Sequence, residues 1–302
     1  MRRALVLLAV LVSGALSIVI AAPVAQDPGP PMDLERLDDN LYVLHGGCSC
    51  GNSTFYLTDA GVVLMDTKVA GQGQAILEQL RSVTDQPLVM IINTHTHFDH
   101  TGSNAEFGAV ERIVTHANAR ESLMKATCTP ATNCDAFKGD NAQYLPNVTF
   151  DDSRTLTVGS DRIDLHHFGP GHTDGDAWIV LPGVRVALTG DMFSHKGVPF
   201  VDTANGGSAL GFGDTLANAT AELDVDTVIS GHFDAYPFDD LVRYAEFHRH
   251  LKEYALAGME AGRPAEEVAD AYEPPADLSD FSAAGPLLRS FVQLIYDESD
   301  TR

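Results

Sequence analysis

Residues 95–100, with the sequence His-Thr-His-Phe-Asp-His, place four side chains of the metal-binding type within six positions. A strand-like hydrophobic run at residues 88–94 leads directly into this stretch. His95 and His97 are two residues apart in an expected extended turn, so both rings can face one ion while Asp99 and His100 face a neighbouring position. Imidazole nitrogen with some carboxylate oxygen suits zinc, and suits iron or manganese where carboxylate is richer. Packing alone does not explain such a density of ligands, so the stretch predicts a metal site.

Three later ligand-type residues, His172, Asp191 and His232, each follow a glycine and lie beside a hydrophobic run that indicates a strand. Taken singly, they would be ordinary turn or helix-capping residues. A site for one ion needs about three or four protein ligands, and the whole set offers more than that. The sequence therefore predicts a two-metal hydrolase site. Its predicted ligands are His95, His97, Asp99, His100, His172, Asp191 and His232.

Strands and helices alternate along the chain, which favours an α/β sandwich over an all-β fold. A second series of strands between residues 154 and 189 indicates two sheet-building halves. The amphipathic segments 238–255 and 287–296 should form helices. Residues 127–146 are long, polar and aperiodic, and we expect a surface loop there that is either a lid over the site or an inert insertion.

The N-terminus has the three parts of an export signal over residues 1–25: two arginines, an apolar stretch and small residues. An uncleaved single-span anchor is the alternative. We expect a linker at residues 26–34, a catalytic domain at residues 35–258 and a C-terminal helical appendage of the same domain at residues 259–302. The protein is then expected to be secreted or periplasmic.

The chain carries 42 acidic against 19 basic residues, a formal net charge of −23. This charge repels phosphate backbones and argues against nucleic-acid substrates, with a role in solubility alone as the alternative. Beyond the export signal we expect no membrane segment, and the sequence leaves the oligomeric state open.

Four cysteines occur in the chain: Cys48, Cys50, Cys128 and Cys134. An even count in an exported protein predicts disulfides, with three possible connectivities. Cys128 with Cys134 is the easiest local pair. A metal-ligand pair is the alternative for Cys48 and Cys50.

The stretch at residues 95–100 and the later Gly-His, Thr-Gly-Asp and Gly-His motifs, in this order, resemble those of the metallo-β-lactamase-fold hydrolases over residues 35–255. The resemblance implies a four-layer αββα sandwich that holds two Zn²⁺ ions, with iron or manganese as alternatives. One ion would take His95, His97 and His172. The other would take Asp99, His100 and His232, and Asp191 would lie between the two. A metal-bridging hydroxide, oriented by Asp99, would be the nucleophile.

The resemblance also narrows the activity, because the better-known lactamase subgroups tend to use Cys at the position of Asp191 or to lack a bridging ligand there. The pattern looks more like the thioesterase, lactonase and general hydrolase branches. We expect an exported dinuclear zinc hydrolase that cleaves an ester, thioester, lactone or amide bond of a small-molecule substrate. A β-lactamase of the same fold and a metal-binding accessory protein without turnover are the alternatives.

Residues outside the ligand set are weaker candidates. Asp66, at the end of a strand, is either a hydrogen-bond acceptor beneath the ligand loop or a turn carboxylate. His195 and Lys196 either contact a substrate carboxylate or are exposed loop residues, and the second interpretation is favoured.

Overall fold

The computed structural model describes residues 31–47 and 50–300, so the predicted export signal lies outside the described residues. A first sheet has seven strands in chain order. They are β1 (Asp33–Asp38), β2 (Leu41–His45), β3 (Ser53–Thr58), β4 (Gly61–Met65), β5 (Leu88–Ile92), β6 (Arg112–His116) and β7 (Val148–Phe150). The strands from β1 to β4 pair antiparallel, and those from β4 to β7 pair parallel.

A second sheet has six strands in the order β13-β12-β11-β10-β9-β8. They are β8 (Ser153–Val158), β9 (Asp161–His166), β10 (Trp178–Leu181), β11 (Val186–Leu188), β12 (Thr227–Ile229) and β13 (Ala235–Pro237). Pairing is antiparallel except between β11 and β12, which run parallel.

Seven α-helices accompany the sheets within the described residues: α1 (Gly73–Val83), α2 (Phe98–Thr101), α3 (Ala117–Leu123), α4 (Ala209–Glu222), α5 (Phe238–Glu260), α6 (Ala265–Asp270) and α7 (Pro286–Asp300). The predicted helices at 238–255 and 287–296 correspond to α5 and α7. The sequence also predicts helices at residues 72–83, from their helical apolar spacing, and at 118–125, and these correspond to α1 and α3. Helix α4 has no counterpart among the predicted helices.

The four layers are visible in the side chains of β4, whose two faces both lie in apolar clusters. Val63 and Met65 face the space between the sheets, while Val62 and Leu64 pack with Ile76 of α1 on the outer side. A strand buried on both faces is a continuous apolar run and does not alternate with polar residues.

The second sheet is covered in the same way by a helical layer. Ile179 and Leu181 of β10 face the space between the sheets, whereas Trp178 packs among the residues of α4, α5 and α7. The order helix, sheet, sheet, helix confirms the predicted αββα sandwich.

The C-terminal helices belong to this outer helical layer. Phe291 and Ile295 of α7 are buried in the same cluster as Phe212 of α4 and Phe247 of α5. Strand β1 begins at Asp33, within the last two residues of the predicted linker. The predicted domain boundaries themselves stay a prediction.

The predicted local disulfide is present, since Cys128 and Cys134 are bonded with their Cα atoms 5.4 Å apart. Cys50 is also disulfide-bonded, so it is not available as a thiolate metal ligand. Cys48 lies outside the described residues. Among the described helices, none has the length and apolar character needed to span a membrane.

Candidate metal centre

The seven predicted ligands come together at one edge of the two sheets. The loop after β5 supplies residues 95–100, and the loop between β9 and β10 supplies His172. Asp191 follows β11 and His232 follows β12. Strand β4 runs parallel to β5 and β11 runs parallel to β12, while β9 has the same direction as β11 because both pair antiparallel with β10. The loops that follow these strands therefore leave each sheet at the same edge.

A first group consists of His95, His97, His172 and Asp191, whose ligand atoms all lie within 4.8 Å of one another. Nδ1 of His97 is 3.0 Å from Nε2 of His172. Oδ2 of Asp191 is 3.5 Å from Nε2 of His172 and 3.9 Å from Nε2 of His95. Ligands at about 2.1 Å around a tetrahedral zinc ion are separated by roughly 3.4 Å, so this spacing fits one ion.

A second group consists of Asp99, His100 and His232. Nε2 of His232 is 3.2 Å from Oδ2 of Asp99 and 3.3 Å from Nε2 of His100. Asp191 also faces this group, because its Oδ1 is 3.3 Å from Nε2 of His100 and its Oδ2 is 3.2 Å from Nε2 of His232. One carboxylate therefore lies between the two groups, as the resemblance implies.

Three of the histidine rings each donate one hydrogen bond to a residue outside the ligand groups. The other ring nitrogen of each then points its lone pair into the candidate metal centre. Nε2 of His97 donates to Asp202, Nδ1 of His100 donates to Asp66 and Nδ1 of His172 donates to the Phe200 carbonyl. The inward nitrogens of these rings are then unprotonated in the neutral tautomer.

Facing lone pairs need a cation between them. The inward nitrogens of His97 and His172 lie 3.0 Å apart, and Nε2 of His95 is buried without a hydrogen-bond partner among the described residues. A buried polar atom without a partner is costly, and a metal ion would satisfy it. The residues present therefore fit a metal site.

The pKa values of the ligands fall into two sets. Burial opposes the charged form of His100, but Asp191 and Asp66 hold its pKa well above the usual value. Burial lowers the pKa of His95 well below its usual value and that of His172 to about 4, so both rings are neutral and ready to bind a cation. Burial opposes ionisation of Asp191, but His100 and His232 outweigh it and hold its pKa well below the usual range. Burial also lowers the pKa of His232, but Asp191 and Asp99 raise it overall to about 9.

Asp66 supports the second group from beneath, which confirms its interpretation as an acceptor under the ligand loop. Its Oδ2 accepts hydrogen bonds from Nδ1 of His100 and from Oγ1 of Thr94, both at 2.7 Å, and its Oδ1 accepts from the Thr94 amide at 2.8 Å. Asp66 has a left-handed backbone with φ of 58°, a conformation that costs free energy for a non-glycine residue. The strained backbone at Asp66 thus occurs at the residue whose carboxylate binds His100 of the ligand loop.

Asp202 supports the first group, and no motif in the sequence indicates it. Its Oδ2 accepts from Nε2 of His97 at 2.9 Å and from Nδ2 of Asn205 at 2.6 Å. Asn205 also donates to Oγ1 of Thr132, inside the loop closed by the Cys128–Cys134 disulfide. Burial raises the pKa of Asp202, but the hydrogen bonds from His97 and Asn205 outweigh it and lower the pKa to about 2.

We expect Asp202→Asn to lower the affinity of the first group for zinc about 10- to 100-fold, because an amide no longer fixes the tautomer and orientation of His97. Competition with a chromophoric chelator measures this affinity. Asn205→Ala is the control, since it removes the tie to the disulfide loop but leaves the bond between Asp202 and His97. If both variants lose the same zinc affinity, the effect comes from the disulfide loop and not from the orientation of His97.

Two glycines make room for the carboxylate between the groups. Gly190, which precedes Asp191, has a φ of 52°, in the left-handed region that favours glycine. A side chain at Gly231 would collide with Oδ1 of Asp191 and with the backbone of Gly190. The glycines of the Gly-Asp and Gly-His motifs are therefore steric requirements of the site.

His195 and Lys196 do not reach the centre. The ring of His195 stacks on Tyr236 with centroids 4.0 Å apart, and Nζ of Lys196 lies 2.6 Å from Oδ2 of Asp280. Elsewhere, His116 and His167 stack on each other outside the ligand groups.

A buried pocket of imidazoles and carboxylates at the edge of an αββα sandwich defines a metal-binding class of protein. The family model described as the metallo-beta-lactamase superfamily matches residues 46–232. The chain thus belongs to the metallo-β-lactamase superfamily.

Relatives in the superfamily have diverse activities. A metallo-beta-lactamase type 2 from Elizabethkingia meningoseptica is 26% identical over 174 residues, 53% of this chain and 62% of that protein. The acyl-coenzyme A thioesterase MBLAC2 from Homo sapiens is 21% identical over 174 residues, 52% of this chain and 60% of that protein. The match thus spans less than two thirds of each of these relatives.

Solved structures support the fold alone at these identities. The sec-alkylsulfatase Pisa1 from Pseudomonas sp. superposes with a TM-score of 0.70 at 18% identity, covering 88% of this chain and 50% of that one. A metallo-beta-lactamase from Pontibacter korlensis superposes with a TM-score of 0.58 at 16% identity, covering 72% of this chain and 99% of that one.

Proposed function

We propose that the protein is an exported dinuclear zinc hydrolase that cleaves an ester, thioester, lactone or amide bond of a small molecule. The observation that carries the proposal is the position of Asp191, whose two oxygens face both ligand groups. A single ion would leave one of these groups without a cation. His95, His97 and His172 would hold one ion, Asp99, His100 and His232 the other, and Asp191 would bridge the two.

When bound, the ions would supply a Lewis acid for the scissile carbonyl and lower the pKa of an attacking water. The protein's own contribution is orientation. Burial raises the pKa of Asp99, but its hydrogen bond with His232 and the charge of His100 lower it overall, so this side chain is a carboxylate. Asp99 can therefore accept a hydrogen bond from a water and orient that water toward a carbonyl in the adjoining cavity.

A β-lactamase remains the second candidate, because one relative is a metallo-beta-lactamase. A metal-binding accessory protein without turnover is the third. Purified protein should contain two zinc ions per chain by elemental analysis and should be assayed against carboxylic esters, thioesters, lactones and a chromogenic cephalosporin. Turnover of the cephalosporin far above all other substrates would favour the β-lactamase. Full metal content with no turnover of any substrate would favour the accessory protein.

We expect chelation of the metal to abolish hydrolysis and to lower the melting temperature. An ion present at about 1,000 times its dissociation constant stabilises the folded state by about 4 kcal/mol, because it binds the folded state alone. Differential scanning calorimetry before and after chelator treatment checks this, with restoration by added Zn²⁺ as the control. An unchanged melting temperature in a protein proved free of metal would contradict the proposal.

Export is tested separately by sequencing the N-terminus of the protein recovered outside the cytoplasm. We expect the mature chain to begin after Ala21 or Ala25. A chain recovered from the membrane with Met1 intact would instead identify an anchor.

A further inference from the structure

A mostly apolar cavity of about 460 Å³ opens directly onto the ligand groups. We propose that it binds the uncharged, apolar acyl part of the substrate, which makes neutral carboxylic esters and lactones the substrate class, and that α7 supplies part of its wall. This inference rests on the proposed hydrolase function. The apolar lining consists of Phe193, Val198, Pro199, Phe200, Phe233 and Leu287.

The cavity is continuous with the candidate metal centre, because His172, Asp191 and His232 also line it. Its volume lies within the range of about 300–1,000 Å³ that is typical of small-molecule sites. A substrate carbonyl at the ligand groups would thus leave its acyl chain in this cavity.

Apolar side chains are exposed at the mouth of the cavity. Phe200 is 54% exposed, Phe233 46% and Leu287 50%, and these are three of the five exposed large hydrophobic side chains among the described residues. Scattered surface hydrophobics need no explanation, but a cluster around one opening marks a binding site.

Leu287 lies in α7, beyond the residues matched by the family model. Its position is fixed by contacts between the segment before α7 and the loop that forms the cavity wall. The amide of Ser282 donates to the Lys196 carbonyl at 2.7 Å, and Asp280 pairs with the Lys196 ammonium. Phe281 stacks on Phe247 of α5 with centroids 4.7 Å apart. The C-terminal segment is therefore held against the site.

The side chains that line the two cavities disfavour an anionic acyl part. Among the described residues that line the apolar cavity there is no Lys or Arg, and the nearby Lys196 is already paired with Asp280. A second, more polar cavity also has His232 in its lining, together with Asp33, Glu35, His45 and Asp234. An anionic group on the acyl part, away from the metal ions, would meet carboxylates there and find no side-chain cation on the apolar side.

The first test measures the dependence of hydrolysis on acyl length, with zinc-loaded protein and 4-nitrophenyl esters from acetate to decanoate. Each buried methylene contributes up to about 0.8 kcal/mol, so KM should fall roughly two- to fourfold per methylene until the cavity is full. Calorimetric binding of 2-decanone, an ester analogue that cannot be hydrolysed, gives a readout without turnover.

The second test reverses the charge preference. Leu287→Arg should raise kcat/KM for mono(4-nitrophenyl) succinate relative to 4-nitrophenyl butyrate by about tenfold, because it puts a cation at the cavity mouth. Gln293→Arg adds the same charge at an exposed position further along α7 and should leave the ratio unchanged. Equal ratios in the two variants would overturn the role of Leu287.

The two proposals fail in different ways. Binding of 2-decanone without hydrolysis of any ester, thioester, lactone or amide would overturn the hydrolase function and keep the cavity as an apolar site. Hydrolysis of acetate and decanoate esters at equal efficiency, with no heat from 2-decanone, would keep the hydrolase and overturn the cavity assignment.

Discussion

Replacing Asp191 by Ala is expected to lower kcat/KM by about 10³-fold or more and to reduce the zinc content well below two ions per chain. The reason is geometric, because the Asp191 carboxylate is the only described ligand whose oxygens lie within 3.5 Å of nitrogens in both groups. Its loss leaves His95 and His172 in one group, and His100 and His232 in the other, without a shared negative charge. Two dications held close together need that charge to offset their repulsion.

The measurement is elemental analysis of the purified variant beside its rate on the best substrate found for the parent protein. Asp224→Asn is the matched control, because it removes a carboxylate whose side chain is 89% exposed and paired with Arg185 at the surface. Full activity and two zinc ions in Asp191→Ala would show that the two groups do not act as one site.

The ligand set could be predicted from sequence because its signals are local. Residues 95–100 carry four ligand types in six positions, and each of the other three follows a glycine beside an apolar strand. Buried strands such as β4 and β10 could also be predicted from the sequence, because both of their faces are apolar and each strand is a continuous apolar run. For these ligands and strands, one short stretch of sequence is enough to predict the structure.

The elements that escaped prediction depend on context. Strand β1 is polar and largely exposed, so it has no apolar pattern. Helix α4 contains Gly211 and Gly213, which lower helix propensity, and its packing against α5 and α7 compensates.

Asp202 and Leu287 escaped for a different reason. Asp202 accepts a hydrogen bond from His97, which lies 105 positions away in the sequence, and no motif predicts that contact. Leu287 reaches the cavity only because the segment before α7 is tied to the loop around Lys196. Residues such as Asp202 and Leu287 reach the site only through tertiary packing, whereas the metal ligands occur in short sequence motifs.

Asp66→Asn should weaken the second group by about 10- to 100-fold in zinc affinity and lower the free energy of unfolding by about 1–3 kcal/mol. The carboxylate accepts three hydrogen bonds and donates none. An asparagine offers one oxygen and one NH₂ in the same space. If the NH₂ replaces Oδ2, it points at His100, whose Nδ1 must then accept and whose proton moves to Nε2. That nitrogen faces Asp191 and His232, and protonated it cannot bind metal.

The opposite orientation of the introduced amide does not rescue the site, because the NH₂ would then point at the Thr94 backbone N–H and leave that buried donor unpaired. Chelator competition and urea unfolding, each on metal-free and zinc-loaded protein, separate the two effects. Asp164→Asn is the control: this carboxylate is also largely buried and accepts hydrogen bonds from Thr155 and Arg162, but it lies in β9 away from the ligands. It should lose stability and keep both ions. If Asp66→Asn behaves in the same way, Asp66 only supports the fold, and the His100 tautomer must be set by the metal itself.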